Sequence, residues 1–243
     1  AAAGTFRNLL PVLTVTDGHV HIREAMCVSV PLNEGWNLIS FNLAPRDSSV
    51  DSVTVSISDW LIVVRGFDLL GIEHGQGANG GLTYDPSLPP PFSSLKWMGC
   101  QYGYWVKVSQ ACTLVVCGSR CPCDEPLALN RGWNLIGYLP EEASQVATAL
   151  DSLLGGENIN SPGWTGSYRV VRGFDLNGAA HCQGANGGLT FDPTLPGPFS
   201  SLKCMMPGFG YWVKIYPDAA ETTLVYPCGP GDCPPCGGLG QDR

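Results

Sequence analysis

A mainly β fold, made of two tandem homologous β-rich domains with one short helix each, is predicted by three observations. The first is self-similarity: residues 63–108 return as 170–215 with 33 identities in 46 positions. Such internal duplication at a fixed order of motifs implies two copies of one folding unit. The second is composition, with 31 Gly, 20 Pro, 44 % hydrophobic and only 14 % charged residues. That is too apolar for a disordered chain and too rich in turn formers for a helical one, and fits many short strands. The third is cysteine, at Cys27, Cys100, Cys112, Cys117, Cys121, Cys123, Cys182, Cys204, Cys228, Cys233 and Cys236. Such density predicts disulfide stapling in an oxidising compartment.

The elements follow in order. Residues 1–27 read as an N-terminal β arm. Asp17-Gly18 lies between alternating runs, the signal of a two-residue type I′ turn. It pairs Thr16 with His19, Val15 with Val20, Thr14 with His21 and Leu13 with Ile22. Residues 28–123 form the first repeat with its cysteine cluster, 124–236 the second, and 237–243 a tail. Each repeat opens on a strand, Gly35-Trp36-Asn37-Leu38-Ile39 or Gly132-Trp133-Asn134-Leu135-Ile136. A helix is expected next in the second repeat. Pro140 starts it, Glu141 and Glu142 sit in the first turn, and Val146, Leu150, Leu153 and Leu154 share a face. Gly155-Gly156 ends it. A weaker version lies around Ser49 to Ile57, where β-branched residues oppose helix. A strand, a Gly-rich loop, a Pro-rich crossing and a closing hairpin complete each unit.

Four places in the sequence carry candidate chemistry. The pair His19-x-His21 after Asp17 looks like the metal-binding opening of an amidohydrolase barrel. A hairpin forbids the strand-then-helix context of such a barrel, so these histidines are weak metal candidates only. Asp68, Asp175, Asp85 and Asp192 recur in both repeats and read as turn residues rather than paired catalytic carboxylates. The clusters Cys117-Cys121-Cys123 and Cys228-Cys233-Cys236 supply three ligands each, short of a zinc site, and read as disulfides. Cys100 with Cys112 and Cys182 with Cys204 are the expected local bridges. Eleven is odd, so one thiol is free or bonds another chain. The aromatics are the fourth place. Along the strands through Tyr104 and Tyr211, Trp105 with Lys107 and Trp212 with Lys214 lie on the face opposite the valines. These tryptophans, with Trp97 and Trp164, are the candidate ligand contacts.

A net charge of −8 and a pI near 4.8 leave no basic stripe for nucleic acid. No apolar run reaches the length of a membrane helix. No Asn-x-Ser/Thr sequon, nucleophile elbow, zincin or nucleotide-binding motif occurs. The chain opens AAAG without Met, which predicts a secreted form freed of its signal peptide.

The order of GWNLIS, helix, strand, DPSLPPPF, GYWVKV and TLVV resembles a tandem β-repeat module of secreted and cell-surface bacterial proteins. That module starts on GWN-L-[IV]-S and closes on G-x-G-Y-W-[IV]. The resemblance covers roughly 28–117 and 125–227. It implies a structural or adhesive role at the cell surface, with no assigned reaction and no catalytic residues to carry over. The expectation is therefore an extracellular, non-enzymatic protein without a cofactor. Its partner would be a further copy, in a fibre or layer joined head-to-tail through the N-terminal arm, or another surface protein. Carbohydrate binding by tryptophans is the alternative, and a metal-dependent hydrolase the remote one.

Overall fold

The computed structural model describes residues 10–16, 19–155, 166–219 and 222–234, and side chains from Met26 onward within them. The chain is mainly β. Strands β1 (Leu10–Thr16) and β2 (His19–Leu32) form the expected hairpin, with the pairs Thr16–His19, Val15–Val20, Thr14–His21 and Leu13–Ile22. The turn residues Asp17 and Gly18 lie outside the described residues. The arm does not end at position 27. β2 runs on without a break, because Met26 to Leu32 pair with the last strand of the first repeat.

In that repeat come β3 (Gly35–Ile39), β4 (Leu43–Pro45), α1 (Val50–Val53), β5 (Leu61–Asp68), β6 (Gly80–Tyr84), β7 (Tyr104–Val108) and β8 (Cys112–Arg120). The second repeat supplies β9 (Leu127–Ala128), β10 (Gly132–Ile136), β11 (Ser144–Gln145), α2 (Val146–Ala149), β12 (Tyr168–Asp175), β13 (Gly187–Phe191), β14 (Cys204–Met205), β15 (Tyr211–Ile215) and β16 (Thr223–Leu224).

Each repeat builds the same antiparallel sheet, ordered β3-β7-β5-β6 in the first and β10-β15-β12-β13 in the second. Even the irregularity is copied, between Leu61 and Val63 and between Tyr168 and Val170. The opening GWN motif has a local cause in both. Gly35 and Gly132 turn at φ +88° and +91°, where a side chain is strained. The Asn two residues on locks the turn: Asn37 Oδ1 accepts from Asn33 N–H at 2.8 Å and its Nδ2 donates to Asn33 O at 2.7 Å. Asn134 repeats both bonds with Asn130 at the same distances.

One face of each sheet covers its own core. Tyr104, Val106 and Val108 pack with Val64, Phe41, Met98 and Leu114, and Tyr211, Val213 and Ile215 with Val171, Tyr138, Leu150 and Tyr226. The opposite faces meet each other. Phe67 touches Trp212 with ring centroids 5.1 Å apart, and Trp105 touches Phe174 at the same distance. These contacts exchange equivalent residues, so the repeats are related by an internal pseudo-twofold axis, as in an isologous dimer interface. Backbone bonds obey the same exchange: Gly103 N–H donates to Leu135 O at 3.2 Å, and Gly210 N–H to Leu38 O at 3.3 Å. Side chains are excluded there, since a Cβ on Gly210 would lie 2.6 Å from Ile39 O.

Two expectations need correction. The helix from Pro140 does not form; α2 spans Val146–Ala149 and a single 3-10 turn follows over Asp151–Leu153. Ser144 and Gln145 instead pair with Met205 and Cys204 as a short ladder, which takes the first predicted turn away. Val146, Leu150 and Leu153 are still buried, so the apolar spacing marks residues of the core but spans two tight turns. The local disulfides are also different. Cys100 bonds Cys121 and Cys204 bonds Cys233, while Cys27 bonds Cys117 and Cys123 bonds Cys228. Cys182 is disulfide-bonded too. Cys112 is the free thiol among the described residues, and burial pushes its pKa up. Cys236 lies outside them.

Five tyrosines, at 104, 138, 168, 211 and 226, are buried. Burial raises every one of these phenols, Tyr138 to about 12 and the others further. An unfolded tyrosine titrates near ~10. Folded values above the unfolded one mean a contribution complete below pH ~10 and lost as pH rises toward the folded values. Alkaline titration should therefore show these tyrosinates appearing together with loss of near-ultraviolet circular dichroism. Ionisation of all the tyrosines near pH ~10, with the dichroism intact, would contradict their burial.

Candidate functional site

Three places hold the chemistry. In the first, Asp68 and Asp175 end the third strand of their sheets, 6 % and 5 % exposed. Each Oδ1 accepts a backbone N–H two residues on, from Leu70 at 3.0 Å and Asn177 at 2.9 Å, the turn role expected of them. Each Oδ2 lies 2.6 Å from a histidine Nδ1, that of His74 or His181. At that distance the ring presents its Nδ1–H to the carboxylate, which fixes the orientation of the imidazole. Sequence reasoning missed these pairs, although the six-residue separation is the same in both repeats.

Only the first repeat adds a hydroxyl. Tyr102 Oη stands 3.3 Å from His74 Nδ1, where the second repeat has Phe209, its ring 5.9 Å from that of His181. Burial, reinforced by the Asp68 charge, holds the Tyr102 phenol well above its ordinary pKa, so it keeps its proton. A cavity of about 70 Å³ adjoins this group, lined among others by Asp68, His74, Tyr102, Gln101, Asn130 and Asn134. Ligand pockets usually start near ~300 Å³, so this space does not seat a substrate of ordinary size. Its polar groups hold loops. Gln76 does the same nearby: Nε2 donates to Trp97 O at 3.0 Å and Oε1 accepts from Lys96 N–H at 2.7 Å. Gln183 repeats the pattern with Cys204 and Lys203.

The second place is the tail clusters. Cys123, Asp124 and Cys228 are close enough to share an ion, but the two sulfurs are bonded to one another and offer no thiolate. The strand positions of His19 and His21 are described, but their side chains are not.

The third place is the face between the sheets. Trp105 and Trp212 are half-buried there rather than open to solvent. A groove of about 430 Å³ runs beside them, lined among others by Trp105, Trp212, Phe174, Leu38, Thr190 and Arg172. Trp97 is elsewhere, packed on Tyr102 with its Nε1 donating to His74 O at 2.9 Å. Trp164 lies outside the described residues. Strand register adds partners that the sequence reading did not include. Trp36 pairs with Lys107 and Arg65 with Trp105, which puts all four on one face of three adjacent strands. Arg65 Cζ lies 5.4 Å and Lys107 Nζ 5.7 Å from the centroid of Trp36. In the second repeat Arg172 and Lys214 stand over Trp133 at 5.3 and 5.5 Å. Trp105 and Trp212 meet these rings edge-on at 6.1 Å. The arrangement is two equivalent cation–π clusters.

Compared with models of protein families, with curated proteins and with solved structures, the chain matches none.

Proposed function

We propose that this protein is a non-enzymatic extracellular structural or adhesive subunit, of the kind to which its repeat signature is similar. The observation that carries the reading is how the polar residues shared by the two repeats are used. Asn37 and Asn134, Asp68 and Asp175 with their histidines, Gln76 and Gln183, and Asp85 and Asp192 each hold a turn or loop. A duplicated enzyme would be expected to keep such groups free at a cleft. Disulfides pin the β scaffold, four of them with both partners among the described residues, and among those residues no helix is long and apolar enough to cross a membrane. Disulfide-dense stapling suits an oxidising exterior. Each repeat also presents an apolar knob on its Pro-rich turn, Phe92 at 74 % and Phe199 at 75 % exposure, of the sort that serves contact with a partner.

Assembly runs through the arm. β1 is an edge strand of the sheet ordered β1-β2-β8-β4. An edge strand offers unpaired backbone groups to a second chain, and a head-to-tail contact propagates. Under non-reducing conditions, light scattering should show mass rising with concentration, and electron microscopy should show filaments. Leu13 faces Ile22 one position off the hydrogen-bonded pair Thr14–His21, so its N–H points away from β2, and Leu13→Pro, which removes that donor from the open edge, should suppress both. A native chain that stays monomeric over the whole concentration range defeats the assembly reading.

A further inference from the structure

The paired clusters lie on the sheet faces that meet between the repeats. We infer that Trp36-Arg65-Lys107 and Trp133-Arg172-Lys214 are two equivalent subsites for an acidic polysaccharide, with the groove between the repeats as its bed. Arg65 and Arg172 are exposed, yet neither they nor Lys107 and Lys214 form an ion pair or donate a hydrogen bond to any described residue. Among the other described cations, Arg120 pairs with Glu141, and Lys96, Lys203 and Arg131 donate to Pro90 O, Gly197 O and Ala219 O, while the exposed Arg46 and Arg169 belong to neither indole cluster. In a chain of net charge −8, four cations gathered on two indoles, with no carboxylate of a described residue paired to them, are arranged for an outside anion.

The geometry favours recognition over packing alone. An indole beneath a guanidinium steadies it, and its N–H edge remains free to grip a carboxylate or sulfate by two bonds. The neighbouring ammonium adds a second positive point. The half-buried indoles provide flat apolar edges for the C–H faces of a sugar ring. Arg172 belongs both to its own cluster and to the groove wall opposite Trp105, so the bed leads from one subsite toward the other repeat. Charge spacing selects the class of polymer. Duplex nucleic acid carries one charge per ~1.7 Å and needs a basic stripe, which this acidic chain lacks. A polysaccharide with one acid group per one or two sugars is sparse enough to meet two isolated cationic points. This inference stands whether or not the chains assemble through their arms.

The test is calorimetric titration of the intact disulfide-bonded protein, at low salt, with polygalacturonate, heparin, neutral dextran and a DNA duplex. Polygalacturonate or heparin should bind, and whichever binds tighter assigns the acid group as carboxylate or sulfate. Affinity should fall as salt rises. Arg65→Gln with Arg172→Gln should weaken binding by about tenfold or more, since each arginine supplies charge-assisted bonds. Lys96→Gln with Lys203→Gln, the same change of net charge at engaged lysines, should leave it within about twofold. Thermal unfolding of both variants confirms that the fold is kept. Absence of binding by both acidic glycans, equal binding by DNA, or an equal loss in the lysine variant would each overturn the assignment.

Discussion

Replacing Cys27 and Cys117 together by Ala should lower stability by about 4–5 kcal/mol, on the chain-entropy account of cross-linking. The bond joins residues 90 apart in sequence, and in the native sheet they already sit opposite one another on β2 and β8. Its removal therefore leaves the ladder in place and acts mainly on the unfolded chain, which regains the freedom of a long loop. The shorter link from Cys100 to Cys121, 21 residues apart, should cost about 3 kcal/mol by the same reasoning. The comparison belongs in a Cys112→Ala background. Cys112 lies on β8 five positions from Cys117 and could exchange with it while the chain is open. Guanidinium unfolding without reductant measures both. A midpoint for the Cys27/Cys117 variant equal to that of its parent would show that the cross-link constrains nothing.

These bonds also mark where reading from the sequence stops. The β class and the arm hairpin were legible, down to the pairing of Thr14 with His21, because an Asp-Gly turn dictates register. Disulfide partners were not, because pairing depends on where the tails are carried by the fold. Cys204 meets Cys233, beside the ladder that Cys204 and Met205 make with Ser144 and Gln145. Neither contact has a periodicity of its own. The helix from Pro140 failed for the same reason, since a two-residue ladder with a distant strand outcompeted local preference.

At the candidate site the alternation of Trp105 and Lys107 against Tyr104 and Val106 was visible in the strand pattern. Trp36 and Arg65 were not linked to them, because that link runs through the order of β3, β7 and β5. The pseudo-twofold contact of Phe67 with Trp212 and of Trp105 with Phe174 was out of reach as well. A duplicated sequence tells that two units are alike and says nothing of how they dock.

How firmly they dock can be tested at Tyr138. Its side chain is fully buried, with ring centroids 6.4 Å from Tyr211 and 5.2 Å from Tyr226, and its hydroxyl donates to Glu142 O at 2.8 Å. Tyr138→Ala should cost about 3–5 kcal/mol, as for other large aromatic truncations, and Tyr138→Phe about 1 kcal/mol for the lost hydroxyl bond. The backbone at this point also crosses between repeats. Tyr138 N–H donates to Ser40 Oγ at 3.1 Å, Asn42 Nδ2 donates to Leu139 O at 3.3 Å, and Ser40 Oγ donates to Phe209 O at 2.6 Å. Cys100 and Cys121, joined to each other, are packed in the same cluster as Tyr138. Damage to the second core therefore propagates to the first. Calorimetry of Tyr138→Ala should show one transition moved to lower temperature, with both sheets lost together. A split into two transitions, one kept at the parent temperature, would mean that the repeats are energetically separate and that the shared face adds little to either.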